Sequence, residues 1–417
     1  MITVLIILAS FNLIIFVRYF NRKAHFKLNS VAVMVYIWTA LLLMASLWGE
    51  KMGFYPLDVS CVFFCFLFLT IIVFTANAVI VRKPLMVSYE DDAIIRLNES
   101  MVFKIAVIAF LLYMASNIFY FRDLSKHIPL SNLMSSLWRW KDLVLTGRFS
   151  ERSISYIGRN ISFIGLILSV NFIRNMRSTF VKKVVSTFML TLYVAITFLN
   201  PRRDPMIDKM VYVIVPFFYA YRTNMKKILR ILIPLGIVFS IAFVIIADSM
   251  SFGNLNIVEM VGRYTFAPFN SMQKALDYGY EFNSSLPLSN TFYFVYMVLK
   301  FLFPQLTPPS IVLEGMGGDT GNIYTSLIAP LIDSNGSLIL FVVFLIFYAV
   351  YIGIINGVAI NMLNRQTLPG YVFYAAVFAC AVRSFYNPTF SYAEVLFGAF
   401  YAALLSLLMP KFKAKDL

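Results

Sequence analysis

Long apolar runs recur along almost the whole of this 417-residue chain. Each covers about 16 to 24 residues, which is the length that a helix needs to cross the hydrocarbon core of a bilayer. Because a backbone in that environment must satisfy its own hydrogen bonds, runs of this length fold as helices. The sequence therefore predicts an all-α polytopic membrane protein with about eleven transmembrane helices, near residues 2–17, 31–49, 58–81, 102–121, 157–173, 184–199, 207–221, 229–248, 338–356, 370–386 and 390–409.

The positions of the charged residues indicate how the chain crosses the membrane. Basic clusters follow the first, third, fifth and seventh runs, and a basic tail follows the last. Short cytoplasmic loops are enriched in Lys and Arg, so these segments are predicted to be cytoplasmic and the N-terminus external. On this topology the cytoplasmic side holds 20 of the 35 Lys and Arg but 5 of the 20 Asp and Glu, which accounts for the net charge of +15. The charge therefore requires no nucleic-acid partner.

Two long polar segments separate apolar runs on the predicted external side. The first, residues 122–156, contains SNLMSSLWRWKDLVL, whose apolar residues recur at helical spacing, so we expect an amphipathic helix on the membrane surface. The second, residues 249–337, contains Thr291 to Phe303, an apolar stretch that is too short to span and is expected to form an interfacial or re-entrant helix. The sequence contains neither a fixed-period repeat nor a soluble domain, so residues 1–417 are predicted to form a single integral membrane domain.

Arginine is frequent on the predicted external side, against the usual trend. A guanidinium donates paired hydrogen bonds in one plane, which suits a phosphate or pyrophosphate. Arg202 and Arg203 occupy a short hairpin between two runs, where their side chains have little freedom. Arg203 could instead pair with Asp204 or Asp208, and any single arginine could anchor a helix at phospholipid headgroups. Further candidates for binding an anionic headgroup are Arg159, Arg263 and Arg383.

A glycine-rich polar stretch, Leu313 to Ser337, ends the second external segment. Its five glycines permit backbone conformations that other residues resist, and its polar side chains could bind sugar hydroxyls or accept a proton. On composition alone it could equally be a flexible loop. Its candidate residues are Asp319, Asn322, Tyr324 and Asp333, and Glu394 is the main acidic residue within an apolar run.

The apolar runs are otherwise almost free of ionisable residues. Ion-coupled transporters place such residues near the membrane midplane, so the sequence favours a function at the outer interface. No GxxxxGK[ST], HExxH or GxSxG pattern occurs, and the chain has only two histidines. We therefore predict neither a cofactor nor a metal site.

Several blocks of this sequence together resemble a known family. They are GNIYTSLIAPLIDSNGSLI (Gly321 to Ile339), the arginine pair of PRRDPMIDKMVYVIV, and a GR…P element at Gly262 to Pro268. In this order, with about eleven spans and a large late external loop, they resemble the Wzy-type O-antigen polymerases, which polymerise oligosaccharide repeat units.

The resemblance implies a GT-C-like, inverting, metal-independent glycosyltransferase in the bacterial inner membrane, with a periplasmic N-terminus and a cytoplasmic C-terminus. Its donor would be an undecaprenyl-pyrophosphate-linked oligosaccharide and its acceptor a lipid-linked repeat unit. Membrane lipids, a chain-length regulator and a flippase of the same pathway are the other expected partners. The product would be an O-antigen-type or related surface polysaccharide.

The resemblance also suggests roles for the candidate residues. Arg202, Arg203 and Arg263 would bind the pyrophosphate, with Arg383 as further support. Asp319 or Asp333 would act as a base or orient the sugar. The remaining substrate-binding candidates are Arg159, Asn322, Tyr324 and Glu394.

Three other functions stay open on the sequence. An O-antigen ligase would use the same donor but transfer the glycan to lipid A core. A transporter or flippase would move lipid-linked sugars, although the uncharged membrane midplane and the lack of internal repeats disfavour it. A non-catalytic assembly protein is the third possibility.

Overall fold

The computed structural model describes residues 2–24, 28–81, 99–127, 158, 160–175, 178–198, 204–220, 226–227, 229–230, 233–234, 236–237, 241, 262, 265, 267–278, 288–303, 325–365, 367–386, 389–391 and 394–408. Every regular element within these residues is helical. The α-helices are α1 (Ile2–Ala24), α2 (Ser30–Met44), α3 (Val59–Val79), α4 (Glu99–Leu124), α5 (Ser162–Arg174), α6 (Phe180–Phe198), α7 (Asp204–Ala220), α8 (Ala267–Tyr278), α9 (Tyr293–Leu302), α10 (Ile328–Asp333), α11 (Leu338–Asn364), α12 (Leu368–Arg383) and α13 (Glu394–Leu408).

Many of these helices suit a bilayer in length and composition. In the described part of the chain, six are long and apolar enough to cross a membrane: Ile2–Asn21, Ser30–Met52, Val59–Val79, Glu99–Leu124, Phe180–Thr197 and Leu338–Asn364. Shorter apolar helices are Ser162–Arg174, Lys209–Tyr219, Leu368–Arg383 and Glu394–Leu407. The prediction of an α-helical membrane protein is confirmed. Helices overlap ten of the eleven predicted runs, but the count of eleven spans stays a prediction, and the run at 229–248 lies largely outside the described residues.

Polar caps fix where several helices begin. The side chains of Asn29, Thr367 and Ser337 accept hydrogen bonds from backbone N–H groups in the first turns of α2, α12 and α11. Such caps satisfy N–H groups that have no partner inside the helix. The turn from α10 to α11 is made by Asn335 and Gly336, whose φ angles of 48° and 80° are left-handed. Glycine and asparagine tolerate this conformation better than other residues do.

The described chain divides into two compact units. Unit 1 comprises Met1–Met86 and Ile257–Leu417, and unit 2 comprises Val87–Asn256. Two compact units can belong to one membrane domain, so the single integral membrane domain stays a prediction.

Unit 1 is built on the close packing of α3 against α11. A Cβ atom added at Gly353 would lie 2.6 Å from Thr75 Cβ and 2.9 Å from the Ile72 carbonyl oxygen, so only glycine permits this approach. Gly357, one turn further, lies in the same way against Val79. Small residues four apart are typical of close helix pairs in membranes.

The directions of α3, α11 and α12 determine which of their ends lie near one another. The rings of Phe64 and Phe341, near the starts of α3 and α11, are 4.9 Å apart, so the two helices run parallel. A short connection then leads from α11 into α12, which packs on α11 and runs back. Because α12 has 16 residues and α11 has 27, α12 ends beside the middle of α11, where Ser391 donates a hydrogen bond to Tyr348.

Unit 2 contains α4 to α7 and buries one face of each around α5. Phe172 of α5 packs edge-on against Phe103 of α4, with ring centroids 5.3 Å apart. The phenol of Tyr193 on α6 fills the space above Gly165 of α5. Aromatic and small residues thus alternate in this core, which is how close helix packing is achieved without voids.

Candidate functional site

A layer of buried polar side chains in unit 1 lies between the starts of α3 and α11 and the end of α12. We call it the polar layer, and its members come from α8, α10, α12 and the turns beside them. They are Asn270, Ser271, Gln273, Ser289, Asn290, Thr291, Thr325, Ser326, Asp333, Ser334, Arg383, Ser384, Thr389 and Ser391. Since buried polar groups cost free energy unless they are bonded, such a layer needs either internal partners or a ligand.

Asp333, a candidate base or sugar-orienting group, accepts hydrogen bonds from four donors within the described part of the chain. Its Oδ1 accepts hydrogen bonds from the backbone N (3.1 Å) and the side-chain Nδ2 (2.9 Å) of Asn290. Its Oδ2 accepts from the backbone N (2.7 Å) and Oγ1 (2.6 Å) of Thr291. A carboxylate has about four acceptor positions, so these bonds nearly saturate it. The geometry favours a positioning role, in which Asp333 ties the Asn290–Thr291 turn to the end of α10.

Arg383 and Glu394, both predicted substrate-binding residues, lie together. Arg383 ends α12 with its side chain only 4% exposed, and its Nη2 is 3.7 Å from Oε1 of Glu394, which begins α13. The Glu394 side chain as a whole is 25% exposed. Arginine keeps its charge when buried, so the nearby carboxylate offsets part of the desolvation cost.

The backbone beside Arg383 is fixed from two directions. Trp38 Nε1 of α2 donates a 2.9 Å hydrogen bond to Ser384 Oγ. Ser326 donates to the Ser384 carbonyl oxygen from its backbone N (3.0 Å) and from Oγ (2.6 Å). Because Ser326 lies just before α10, these bonds connect the segment that carries Asp333 to the end of α12 that carries Arg383.

Helix α8 contributes polar residues that the sequence reasoning missed. Gln273 Oε1 accepts hydrogen bonds from the backbone N–H groups of Asp58 (3.1 Å) and Cys61 (3.2 Å), at the start of α3. Its Nε2 donates to Asp277 Oδ1 at 2.8 Å. The residues Asn270, Gln273 and Asp277 recur at helical spacing on one face, which was the available signal. It was overlooked because residues 249–337 were treated as a loop.

Some buried polar atoms of the polar layer form no hydrogen bond within the described residues. Asn270 Oδ1 and Asn290 Oδ1 are buried and accept no hydrogen bond, and the Ser271 and Thr325 hydroxyls form none, within the part of the chain that the structure describes. Acceptors and hydroxyls of this kind match the hydroxyl groups of a sugar. The described part of the layer therefore combines a guanidinium that is paired with Glu394, the hydrogen-bonded carboxylate of Asp333 and neutral groups suited to sugar hydroxyls.

The other sequence-based candidates lie outside the described residues. These are Arg159, Arg202, Arg203, Arg263, Asp319, Asn322 and Tyr324. The amphipathic stretch within 122–156 and four glycines of the glycine-rich stretch, Gly315, Gly317, Gly318 and Gly321, also lie there. Their roles stay predictions. The apolar stretch Thr291 to Phe303 is described, and its helix α9 has 10 residues, too few to span a bilayer.

Fold and polar layer together define the class of this protein as an α-helical membrane protein. Comparison of the chain with protein-family models, with curated proteins and with solved structures finds no match in any of the three.

Proposed function

We propose that this chain is a Wzy-type polymerase, an inverting and metal-independent glycosyltransferase that joins lipid-linked oligosaccharide repeat units. The observation that carries the proposal is the polar layer, in which buried Arg383, paired with Glu394, lies near buried neutral side chains that can form hydrogen bonds. An arginine among neutral polar groups suits a ligand with an anionic headgroup and sugars.

The charge pattern supports a periplasmic location for this layer. Residues 53–58, which lead into α3, lie at the end of unit 1 where α3 and α11 begin, whereas the exposed Arg365 follows α11 at the opposite end. On the positive-inside topology the Arg365 end is cytoplasmic. The proposed arrangement therefore has about eleven GT-C-like spans in the bacterial inner membrane, with the N-terminus periplasmic and the C-terminus cytoplasmic.

The proposed reaction breaks the bond between the anomeric carbon of the donor sugar and a pyrophosphate oxygen of undecaprenyl pyrophosphate. A hydroxyl of the acceptor repeat unit attacks that carbon from the opposite face, so its configuration inverts, and the hydroxyl proton passes to a base. Negative charge grows on the leaving pyrophosphate, and the guanidiniums of Arg202, Arg203 and Arg263 stabilise it. Arg383 adds positive charge from the polar layer.

The base in this scheme is Asp319. The four hydrogen bonds to Asp333 support this choice, because a carboxylate must release donors before it can take up a proton. Asp333 then acts as a positioning residue, while Asn322, Tyr324, Glu394 and Arg159 bind other parts of the substrate.

The test is reconstitution of the purified full-length protein with lipid-linked repeat units and no lipid A. The proposal predicts a ladder of lengthened lipid-linked glycans. Transfer only after lipid A core is added would indicate a ligase instead. Movement of unlengthened substrate across liposomes would indicate a transporter, and no reaction with either acceptor would leave the chain without the proposed activity.

A further inference from the structure

Helix α1 packs against the rest of unit 1 along one face. The buried side chains that share this face are Ile6, Leu13, Val17 and Phe20. The neighbouring Phe16 contacts Phe74 of α3, with ring centroids 4.4 Å apart, and α1 also packs on α2. In the described part of the chain, α1 is nevertheless the least buried of the six candidate spans. Much of its surface is therefore available to lipid or to another helix.

A second face of α1 carries an exposed row of residues with the spacing of a coiled coil. Its members are alternately three and four residues apart, and they are Leu5, Leu8, Asn12, Ile15 and Tyr19. We call this row the seam. Its four apolar members are 41% to 60% exposed, and Asn12 is exposed as well. At 3.6 residues per turn, the seam is centred about 130° around the helix from the buried face. Such spacing lets two helices stay in contact along their length.

Asn12 places a carboxamide on the seam, in the middle third of the candidate span Ile2–Asn21. Its Nδ2 donates a 3.1 Å hydrogen bond to the Leu8 carbonyl oxygen of the same helix. Within the described residues, the second N–H and the Oδ1 acceptor have no partner. Hydrocarbon offers no hydrogen-bonding group, so a polar side chain on another helix would stabilise this carboxamide.

A second copy of this chain provides such a side chain at the required depth. Two copies insert with the same topology, so their α1 helices are parallel and residue 12 lies at the same depth in both. A carboxamide is both a donor and an acceptor, so two Asn12 side chains can exchange hydrogen bonds across a two-fold axis. A helix of another protein would need a polar residue at that same depth. An asparagine at one position of a coiled-coil seam is known to select register and oligomeric state.

We infer that this chain forms a parallel homodimer through the seam of α1, with the two Asn12 carboxamides hydrogen-bonded to each other inside the membrane. The heptad spacing corresponds to a left-handed crossing of about 20° between the two helices. The dimer uses none of the residues assigned to the proposed reaction, so the polymer ladder and the dimer are independent of each other.

Cysteine cross-linking of the full-length protein in native membranes tests the seam directly. Leu8→Cys lies on the seam, and Ile7→Cys lies one residue away, about 100° around the helix. The native side chains are 59% and 51% exposed, so the two positions are matched in depth and accessibility. Membranes that contain two differently tagged copies are oxidised with copper phenanthroline and analysed on non-reducing gels. Wild-type protein controls for the native cysteines, which are buried.

Leu8→Cys is expected to give about tenfold more disulfide-linked dimer than Ile7→Cys, because a disulfide forms only over a short range of Cβ distances. Equal yields at the two positions would indicate random collision and overturn the inference. A cross-link from Leu8→Cys to a protein of another mass would assign the seam to a different partner. Lack of any cross-link would assign it to lipid, and either result would also overturn the inference.

Variants of Asn12 test the hydrogen bonds between the two copies. Asn12→Leu keeps the shape of the side chain and removes its polar atoms, and Asn12→Gln keeps the carboxamide. Asn12→Leu is expected to raise the dissociation constant of the dimer about tenfold, and Asn12→Gln to change it much less. Energy transfer between fluorescently tagged full-length chains in liposomes measures this constant. An unchanged constant in Asn12→Leu would contradict the inference, and if that variant does not fold, the cross-linking result decides.

Discussion

At the scale of single residues, Asp333 shows that a sequence can identify a candidate site residue without identifying its role. An acidic residue in a polar, glycine-containing segment is a reasonable candidate base. Its partners, Asn290 and Thr291, are more than 40 residues earlier in the chain, so no local pattern could reveal them. With those donors in place, the same carboxylate is better suited to holding a turn.

A substitution at Asp333 tests this positioning role. Asp333→Asn keeps the shape but replaces one acceptor oxygen with a donor that faces two other donors. The loss of two charge-assisted hydrogen bonds is expected to destabilise the folded protein by about 2 to 4 kcal/mol in thermal or denaturant unfolding. Lys126→Gln, which removes the exposed partner of the Asp123–Lys126 pair, is the control and should cost under about 1 kcal/mol. Unchanged stability of Asp333→Asn together with lost polymer formation would favour the base role instead.

The Arg383–Glu394 pair supports a second prediction at this scale. The sequence identifies both residues as substrate-binding candidates. Their contact could not be predicted, because it depends on the turn between α12 and α13. Because Glu394 is partly exposed, the coupling is smaller than for a fully buried pair, and a double-mutant cycle of Arg383→Gln and Glu394→Gln should give about 1 kcal/mol or more. Additive effects on the free energy of unfolding would mean that the two charges do not interact.

At the scale of helices, hydrophobicity and capping explain most of what could be predicted. Apolar length located α1 to α7 and α11 to α13, and polar caps set several of their starts. Which helices pack together could not be predicted, because in a membrane both the lipid-facing and the protein-facing sides of a helix are apolar. The spacing of its polar residues indicates helix α8, but their partner at the start of α3 is more than 200 residues away in the chain, so their role could not be predicted.

The packing of α3 on α11 depends on glycine at two positions. Gly353→Ala adds a Cβ atom where Thr75 and the Ile72 carbonyl already lie within 2.9 Å, so the helices must separate. We expect a loss of about 1 to 3 kcal/mol in the free energy of unfolding. Gly236→Ala is the control, because nothing lies within 4 Å of its added Cβ and alanine favours helix. Equal stability of the two variants would show that the close approach is not required.

At the scale of the whole molecule, the orientation in the membrane links the polar layer to periplasmic chemistry. It follows from loop charges, and it can be measured because the native Cys61, Cys65 and Cys380 are all buried. In intact cells a membrane-impermeant thiol reagent should label Asn335→Cys, and it should label Arg365→Cys only after permeabilisation. Both native side chains are exposed, so either cysteine is accessible once the reagent reaches it. The reverse pattern would place the polar layer in the cytoplasm and exclude the proposed donor.

The central claim, that guanidiniums hold a lipid diphosphate while a glycan is transferred, is tested most directly by the polymer ladder in matched arginine variants. Arg202→Gln and Arg203→Gln are predicted to abolish the ladder, and Arg383→Gln to shorten it strongly, with normal protein levels in the membrane. Arg365→Gln, which removes an exposed charge at the opposite end of unit 1, is predicted to leave the ladder unchanged. A ladder of normal length in both Arg202→Gln and Arg203→Gln would contradict the account.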